Sequence, residues 1–206
     1  MTMGVKDAIA ARHSVRAFTK DKLTESEIRE LLEAARNAPS SLNSQPWRFL
    51  VVTDAADLAW FGTSEATRKQ AWLAGAAAIV VCCADIAHYV KDSQSAAFFY
   101  RDNDIITGET MDGIDAYVAR EAVAAEQAKF GACAMNTALA EAFIMLRAVE
   151  MGLGTCWVGM FDEANIKARF GLAEGLRIVN ILAVGRPDEP EVHPRKRKSL
   201  DEIVLG

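Results

Sequence analysis

The run Ala77-Ala78-Ile79-Val80-Val81-Cys82-Cys83 is apolar at every position, with no polar residue to face water on alternate sides. A strand of this kind is stable only when both faces of its sheet are covered, so the chain needs a layered architecture with helices on each side. The other elements fit that demand. Phe49-Leu50-Val51-Val52, residues 155–158 and residues 178–184 read as three further strands. Between them, Val5, Ala8 and Ile9 mark a short amphipathic helix. Thr24-Glu25-Ser26-Glu27 is a capping box, followed by Ile28, Leu31, Leu32 and Ala35 at helical spacing; that helix runs to about Asn37, before Pro39. Part of residues 56–74 is helical, and Asp162 caps a helix that turns Ile166 and Phe170 inward. Residues 121–151 form the longest helix, expected to face Phe130, Ala134, Ala138, Phe143, Leu146 and Val149 inward and to stop at Gly152-Leu153-Gly154. A second capping box, Ser199 to Glu202, follows the basic tail that begins at His193. At 206 residues and 51% hydrophobic content, residues 1–206 are expected to form one domain.

Several classes of function are excluded on composition. A net charge of −5 and a pI near 5.3 do not suit a nucleic-acid binder, which needs clustered cations to displace phosphate counterions. The first fifteen residues carry Lys6, Asp7, Arg12 and His13 without the long apolar core of a signal peptide or anchor, so a cytoplasmic protein away from membranes is expected. Cys82, Cys83, Cys133 and Cys156 lack C-x-x-C spacing and read as reduced thiols. His13, His88 and His193 are too dispersed for a helical zinc site, and no metal is expected. There is no G-x-x-x-x-G-K-[ST] loop or G-x-S-x-G elbow, and Gly152-x-Gly154 follows a helix rather than opening one, so it is not a dinucleotide fingerprint. Residues 85–119 lose helical period and gather Tyr89, Phe98, Phe99, Tyr100, Asp102, Asp104, Gly108 and Gly113; the segment reads either as a lid or insertion or as a loosely packed excursion.

Two basic clusters remain, Arg12-His13-Ser14-Val15-Arg16 and the tail containing Arg195 and Arg197. They could converge on one phosphate dianion through charge-assisted hydrogen bonds, or be two solvated charge runs, and spacing alone does not choose. Ser40, Ser41 and Asn43 likewise read as an ordinary polar turn after a helix.

Taken together, the motifs resemble a known family. Arg12-His13-Ser14-Val15-Arg16 matches the R-[RH]-S-x-R signature of the FMN-dependent nitroreductases. Ala38-Pro39-Ser40-Ser41-Leu42-Asn43-Ser44-Gln45-Pro46-Trp47 matches their A-P-S-x-x-N-x-Q-P-W segment. Gly152-Leu153-Gly154-Thr155-Cys156-Trp157, Phe161-Asp162, Gly185-Arg186-Pro187 and the pair Arg195 and Arg197 follow in the family's order. The resemblance implies an α+β fold, a three-layer α/β/α sandwich with a mixed central sheet, assembled as an obligate homodimer with FMN at the interface. Carried over residue by residue, Arg12 and Ser14 with Arg195 and Arg197 would hold the FMN phosphate, and His13 would line the same end. Arg16 would lie by the flavin pyrimidine, stabilising the charge that reduction places there. Pro39, Ser40, Ser41 and Asn43 would close over the ring from the other subunit. The segment Trp157, Val158, Gly159 and Met160 would bring a backbone N–H towards flavin N5, and a lysine that family members use near the pyrimidine has its nearest counterpart in Lys69. The implied activity is ping-pong: NADH or NADPH reduces the flavin, then a nitroaromatic, quinone or similar small acceptor oxidises it, with no side chain acting as nucleophile or base. Phe98, Phe99, Tyr100 and Tyr117 are candidates either to cover such an acceptor or to pack a core. Rival expectations are a specialised branch that dehalogenates or fragments flavin, and a flavin carrier or sensor without turnover.

Overall fold

A computed structural model describes residues 3–189 and 195–205. Helix α1 (Val5–Ala11) leads into an extended segment and helix α2 (Glu25–Arg36), which begins at the expected Thr24–Glu27 capping box. A single 3-10 turn, Ser41–Asn43, precedes strand β1 (Trp47–Val52). Helices α3 (Ala55–Phe61) and α4 (Ser64–Thr67) and the 3-10 turn Ala71–Gly75 lead to strand β2 (Ala78–Asp85). Helices α5 (Ile86–Asp102), α6 (Gly108–Val123) and α7 (Glu126–Glu150) follow, then strand β3 (Gly154–Val158), helix α8 (Glu163–Phe170), strand β4 (Leu176–Gly185) and helix α9 (Leu200–Ile203). Tail residues 190–194, His193 among them, lie outside the described residues.

The four strands form one sheet in the order β1-β2-β4-β3, antiparallel throughout. Of the mixed sheet expected, the parallel component is the single bridge between Ser14 and Thr155 on the outer edge of β3. Every residue of β2 is buried, and its side chains divide as strand alternation requires. Ile79, Val81 and Cys83 join Leu58, Phe61, Ile166 and Ile181 beneath α3 and α8, whereas Val80 and Cys82 join Leu31, Ala35, Ala140, Ile144 and Ala148 beneath α2 and α7. The result is the three-layer α/β/α sandwich that the apolar run demanded.

Two glycines bring the N-terminal segment onto this sheet. A Cβ on Gly154 would lie 2.6 Å from Val15, and one on Gly185 would lie 2.8 Å from Phe18, so a side chain at either position would push residues 14–18 off the edge. With both absent, the Val15 N–H donates to Thr155 O, Phe18 bridges Pro187, and the Asp188 N–H donates to Ala17 O at 2.9 Å.

Three readings of helical pattern are corrected. Residues 85–119, where no helical period is legible, are mostly helical: 86–102 and 108–119 belong to the α5–α6 hairpin, whose inward stripes are narrow and partly polar, Tyr89, Ser93 and Ala97 on one helix and Met111, Val118 and Glu121 on the other. Exposed Phe98 and Phe99 blur the period further. The long helix begins later than expected, since Ala124 and Ala125 are extended and separate α6 from α7. Its inward face also differs. The sheet side of α7 consists of Cys133, Asn136, Thr137, Ala140, Glu141, Ile144 and Ala148, while Phe143, expected inside, is exposed with Met135 and Leu139. A helix apolar on two sides has no single moment that marks the core face, and here the core face contains the polar residues.

One of these is Glu141, fully buried, with Asn180 Nδ2 donating to its Oε2. Glu141 Oε1 and Asn180 Oδ1, both acceptors, have no donor among the described residues. Burial pushes the Glu141 carboxyl up from 4.5 to about 7, against the opposing pull of its Asn180 and Cys82 contacts. An acid whose value is higher folded than unfolded binds its proton more readily in the native state, so this group makes stability fall as pH rises from about 4.5 to about 7 and level off above. The size is roughly 3 kcal/mol at most. Glu141→Gln, which replaces the proton with an amide donor, is expected to remove that slope and raise stability at pH 8. Urea titrations of both proteins at pH 5 and pH 8 measure it, and an unchanged slope in the variant contradicts it.

Candidate active site

The stitched edge brings the two ends of the chain together. Arg12 is the C-cap of α1, and His13, Ser14 and Arg16 follow on the extended segment that lies along β3. Arg195 returns from the tail and donates to the carbonyls of Ala10 and Arg12, capping the last turn of α1. Arg12, His13, Ser14, Arg16, Arg195 and Arg197 line one cavity of about 520 Å³, together with Glu189. The Arg12 guanidinium is held below its ordinary value, first by burial and then by the nearby charges of Arg195 and Arg197. Like charges gathered at a half-buried position are unfavourable in isolation and favourable around an anion. The fold thus brings the two basic clusters, separate in sequence, to one cavity.

Glu189 joins the cavity without any signal in the sequence. Its Oε1 accepts from the Arg16 N–H at 2.7 Å, and its Oε2 lies 3.1 Å from His13 Nε2. His13 Nδ1 lies 3.0 Å from Ala11 O, so both ring nitrogens face oxygen atoms of the chain. The Arg16 side chain is exposed and reaches no carboxylate among the described residues; its Nη1 makes a long contact of 3.5 Å to Ser14 O.

The loop containing Pro39, Ser40, Ser41 and Asn43 is held apart from that cavity. Leu42, Asn43 and Gln45 all have positive φ, near 50°, which non-glycine residues rarely adopt. Three contacts hold the loop there. Asn136 Oδ1, on the buried face of α7, accepts from the Ser41 N–H at 2.9 Å; Ser40 Oγ accepts from the Gln45 N–H at 3.0 Å; and the Leu42 side chain packs with Met111 and Val118. A strained loop fixed from two sides is where backbone cost is tolerated for function. Asn136 had one sequence signal, an amide within a helix otherwise rich in small apolar residues.

At the end of β3, Trp157 is 40% exposed, Val158 is buried, Met160 is 57% exposed, and the space where a Gly159 Cβ would sit is open. Lys69 lies on an exposed left-handed turn with Arg68. Its neighbour Gln70 reaches the 157–160 segment, through Nε2 donating to Met160 O at 2.9 Å. Trp47 is core.

The family model described as "Nitroreductase family" matches residues 9–186. The chain belongs to the nitroreductase family of oxidoreductases. Among its relatives is a protein named NADH dehydrogenase from Thermus thermophilus, 30% identical over 207 residues that cover 98% of this chain and 96% of the relative. Among solved structures, the nitroreductase family protein of Streptococcus pneumoniae superposes with a TM-score of 0.79 at 24% identity, covering 98% of this chain and 100% of that one. A nitroreductase of Exiguobacterium sibiricum, solved in complex with FMN, gives a TM-score of 0.78 at 22% identity, covering 99% and 97%. These superpositions span both motif clusters and the α5–α6 hairpin.

Asn136→Ala is expected to free the Ser41 N–H, speeding its hydrogen exchange while exchange in β2 stays slow, at a cost of about 1–2 kcal/mol to global stability. Native-state hydrogen exchange measures it; unaltered protection at Ser41 contradicts the anchoring role.

Proposed function

We propose that this nitroreductase-family chain is an FMN-dependent enzyme that oxidises NADH or NADPH and reduces a nitroaromatic, quinone or similar small acceptor. The observation that carries the reading is the convergence of Arg12, Arg195 and Arg197, from opposite ends of the chain, on one cavity. Its donor set suits a phosphate monoester: guanidinium groups, the Ser14 hydroxyl and the His13 imidazole. Bound there, FMN would supply hydride chemistry that no side chain of the protein provides. The protein's part is to bind and orient it. Arg12, Ser14, Arg195 and Arg197 hold the phosphate, with His13 at the same end. Arg16, exposed and free of a carboxylate partner for its guanidinium among the described residues, is the cation for the flavin pyrimidine. Backbone at Gly159 and Met160, steadied by Gln70, approaches the reactive edge of the ring.

The working unit in this reading is a homodimer of one-domain subunits. Support comes from the second apolar side of α7, where Met135, Leu139 and Phe143 are exposed, and from Val5 and Ile9 of α1, which packs against α7. An apolar hollow of about 400 Å³ lined by Met3, Val5, Phe143 and Leu146 continues that surface. The loop Pro39, Ser40, Ser41 and Asn43, held outside the arginine cavity of its own chain, then serves the partner's flavin. The α5–α6 hairpin, bearing exposed Phe98 and Phe99 and gripping Leu42, covers the acceptor.

Steady-state oxidation of NADH and NADPH by the FMN-loaded protein, with a nitroaromatic and a quinone as acceptors, tests the activity. Turnover is expected with at least one pair; a protein that retains FMN but shows no nicotinamide-dependent bleaching is a carrier, contrary to the proposal. Arg12→Ala and Arg197→Ala should each weaken FMN binding about tenfold or more at low salt, the deficit shrinking as salt rises. Sedimentation should give a dimer, and a stable FMN-retaining monomer contradicts the shared site.

A further inference from the structure

Glu189 is the single carboxylate among the described residues lining the arginine cavity. Strand-like pairing puts it there: Thr19 N–H donates to Arg186 O, Phe18 bridges Pro187, and Asp188 N–H donates to Ala17 O, so the next residue falls beside Arg16. Its side chain is only 18% exposed, and its two oxygens face the Arg16 N–H and His13 Nε2. A backbone N–H and an imidazole aimed into a basic cavity are donors suited to an anion, and here the protein's own carboxylate takes both. A phosphate entering the cavity meets the negative charge of a carboxylate that is itself largely covered from solvent.

We propose that Glu189 is a built-in competing anion: it holds the cavity together before a phosphate monoester arrives and weakens the grip on that phosphate afterwards. The inference rests on the FMN reading given above. Its functional consequence is an exchangeable flavin, with the grip set by one carboxylate opposing Arg12, Arg195 and Arg197. The charge acts on the phosphate alone. A flavin without phosphate does not meet this penalty, and a neutral isostere at 189 still accepts from the Arg16 N–H and leaves the strand pairing in place.

Fluorescence titration of the apoprotein with FMN and with riboflavin, for wild type, Glu189→Gln and Glu189→Asp, tests this. Glu189→Gln is expected to bind FMN about tenfold more tightly than wild type at low salt, with riboflavin unchanged. Glu189→Asp keeps the charge and is expected to bind FMN no more tightly than wild type. If wild type prefers FMN to riboflavin but Glu189→Gln binds FMN equally or more weakly, Glu189 organises the site rather than competing for it, and the inference falls while the FMN reading stands. Equal tightening for riboflavin, or tightening in Glu189→Asp, also overturns it, because the effect would not be one of charge on phosphate. If wild type shows no preference for FMN over riboflavin, the phosphate reading itself fails.

Discussion

The site depends on the seam along the outer edge of β3. The Val15–Thr155 hydrogen bond and the Phe18–Pro187 bridge lay residues 14–19 between the end strand of the sheet and the chain leaving β4. That close packing is available only because Gly154 and Gly185 present no Cβ. The seam brings Arg12, at the end of α1, to the side of the molecule where the tail returns with Arg195 and Arg197. A group of like charges without an ordering scaffold would disperse into solvent; backbone pairing and the capping of α1 by Arg195 hold this one together. The family's glycines are therefore site residues at one remove.

Helix α7 serves two surfaces, and its composition reflects both. Its sheet face places Ala140, Ile144 and Ala148 against β2 and β4 and buries Asn136 and Glu141, which anchor the Ser41 backbone and pair with Asn180. Its opposite face keeps Met135, Leu139 and Phe143 in the open. By length and hydropathy the helix could cross a membrane, yet 39% of its apolar window is buried within this fold, and its exposed apolar side is continuous with α1. Two apolar faces on one helix join the sandwich core to the surface on which the proposed dimer would form.

Much of this architecture is legible in the sequence. The unbroken apolarity of β2 demands two covering layers, the Thr24 capping box marks the start of α2, and the G-L-G and G-x-P glycines mark strand boundaries. Convergence of Arg12 with Arg195 and Arg197 is not legible in spacing and is expected only through the family resemblance, because residues about 180 positions apart meet only through sheet topology. Glu189 escapes for the same reason: nothing near it in sequence says that it will face His13. The inward face of α7 is misread from sequence because Phe143 outranks Asn136 and Glu141 on any hydrophobic scale, although the latter pair lie inside. Gln70 gives no local sign that it will hold the Met160 carbonyl. In each case a tertiary contact decides what local sequence leaves open.

The most direct test of the central claim, that cations from the two ends of the chain form one phosphate site, is a crystal structure of the protein grown with FMN. Phosphate oxygens are expected within about 3.2 Å of guanidinium nitrogens of both Arg12 and Arg197. FMN bound with its phosphate elsewhere, or held by one chain end alone with the other pointing into solvent, contradicts it.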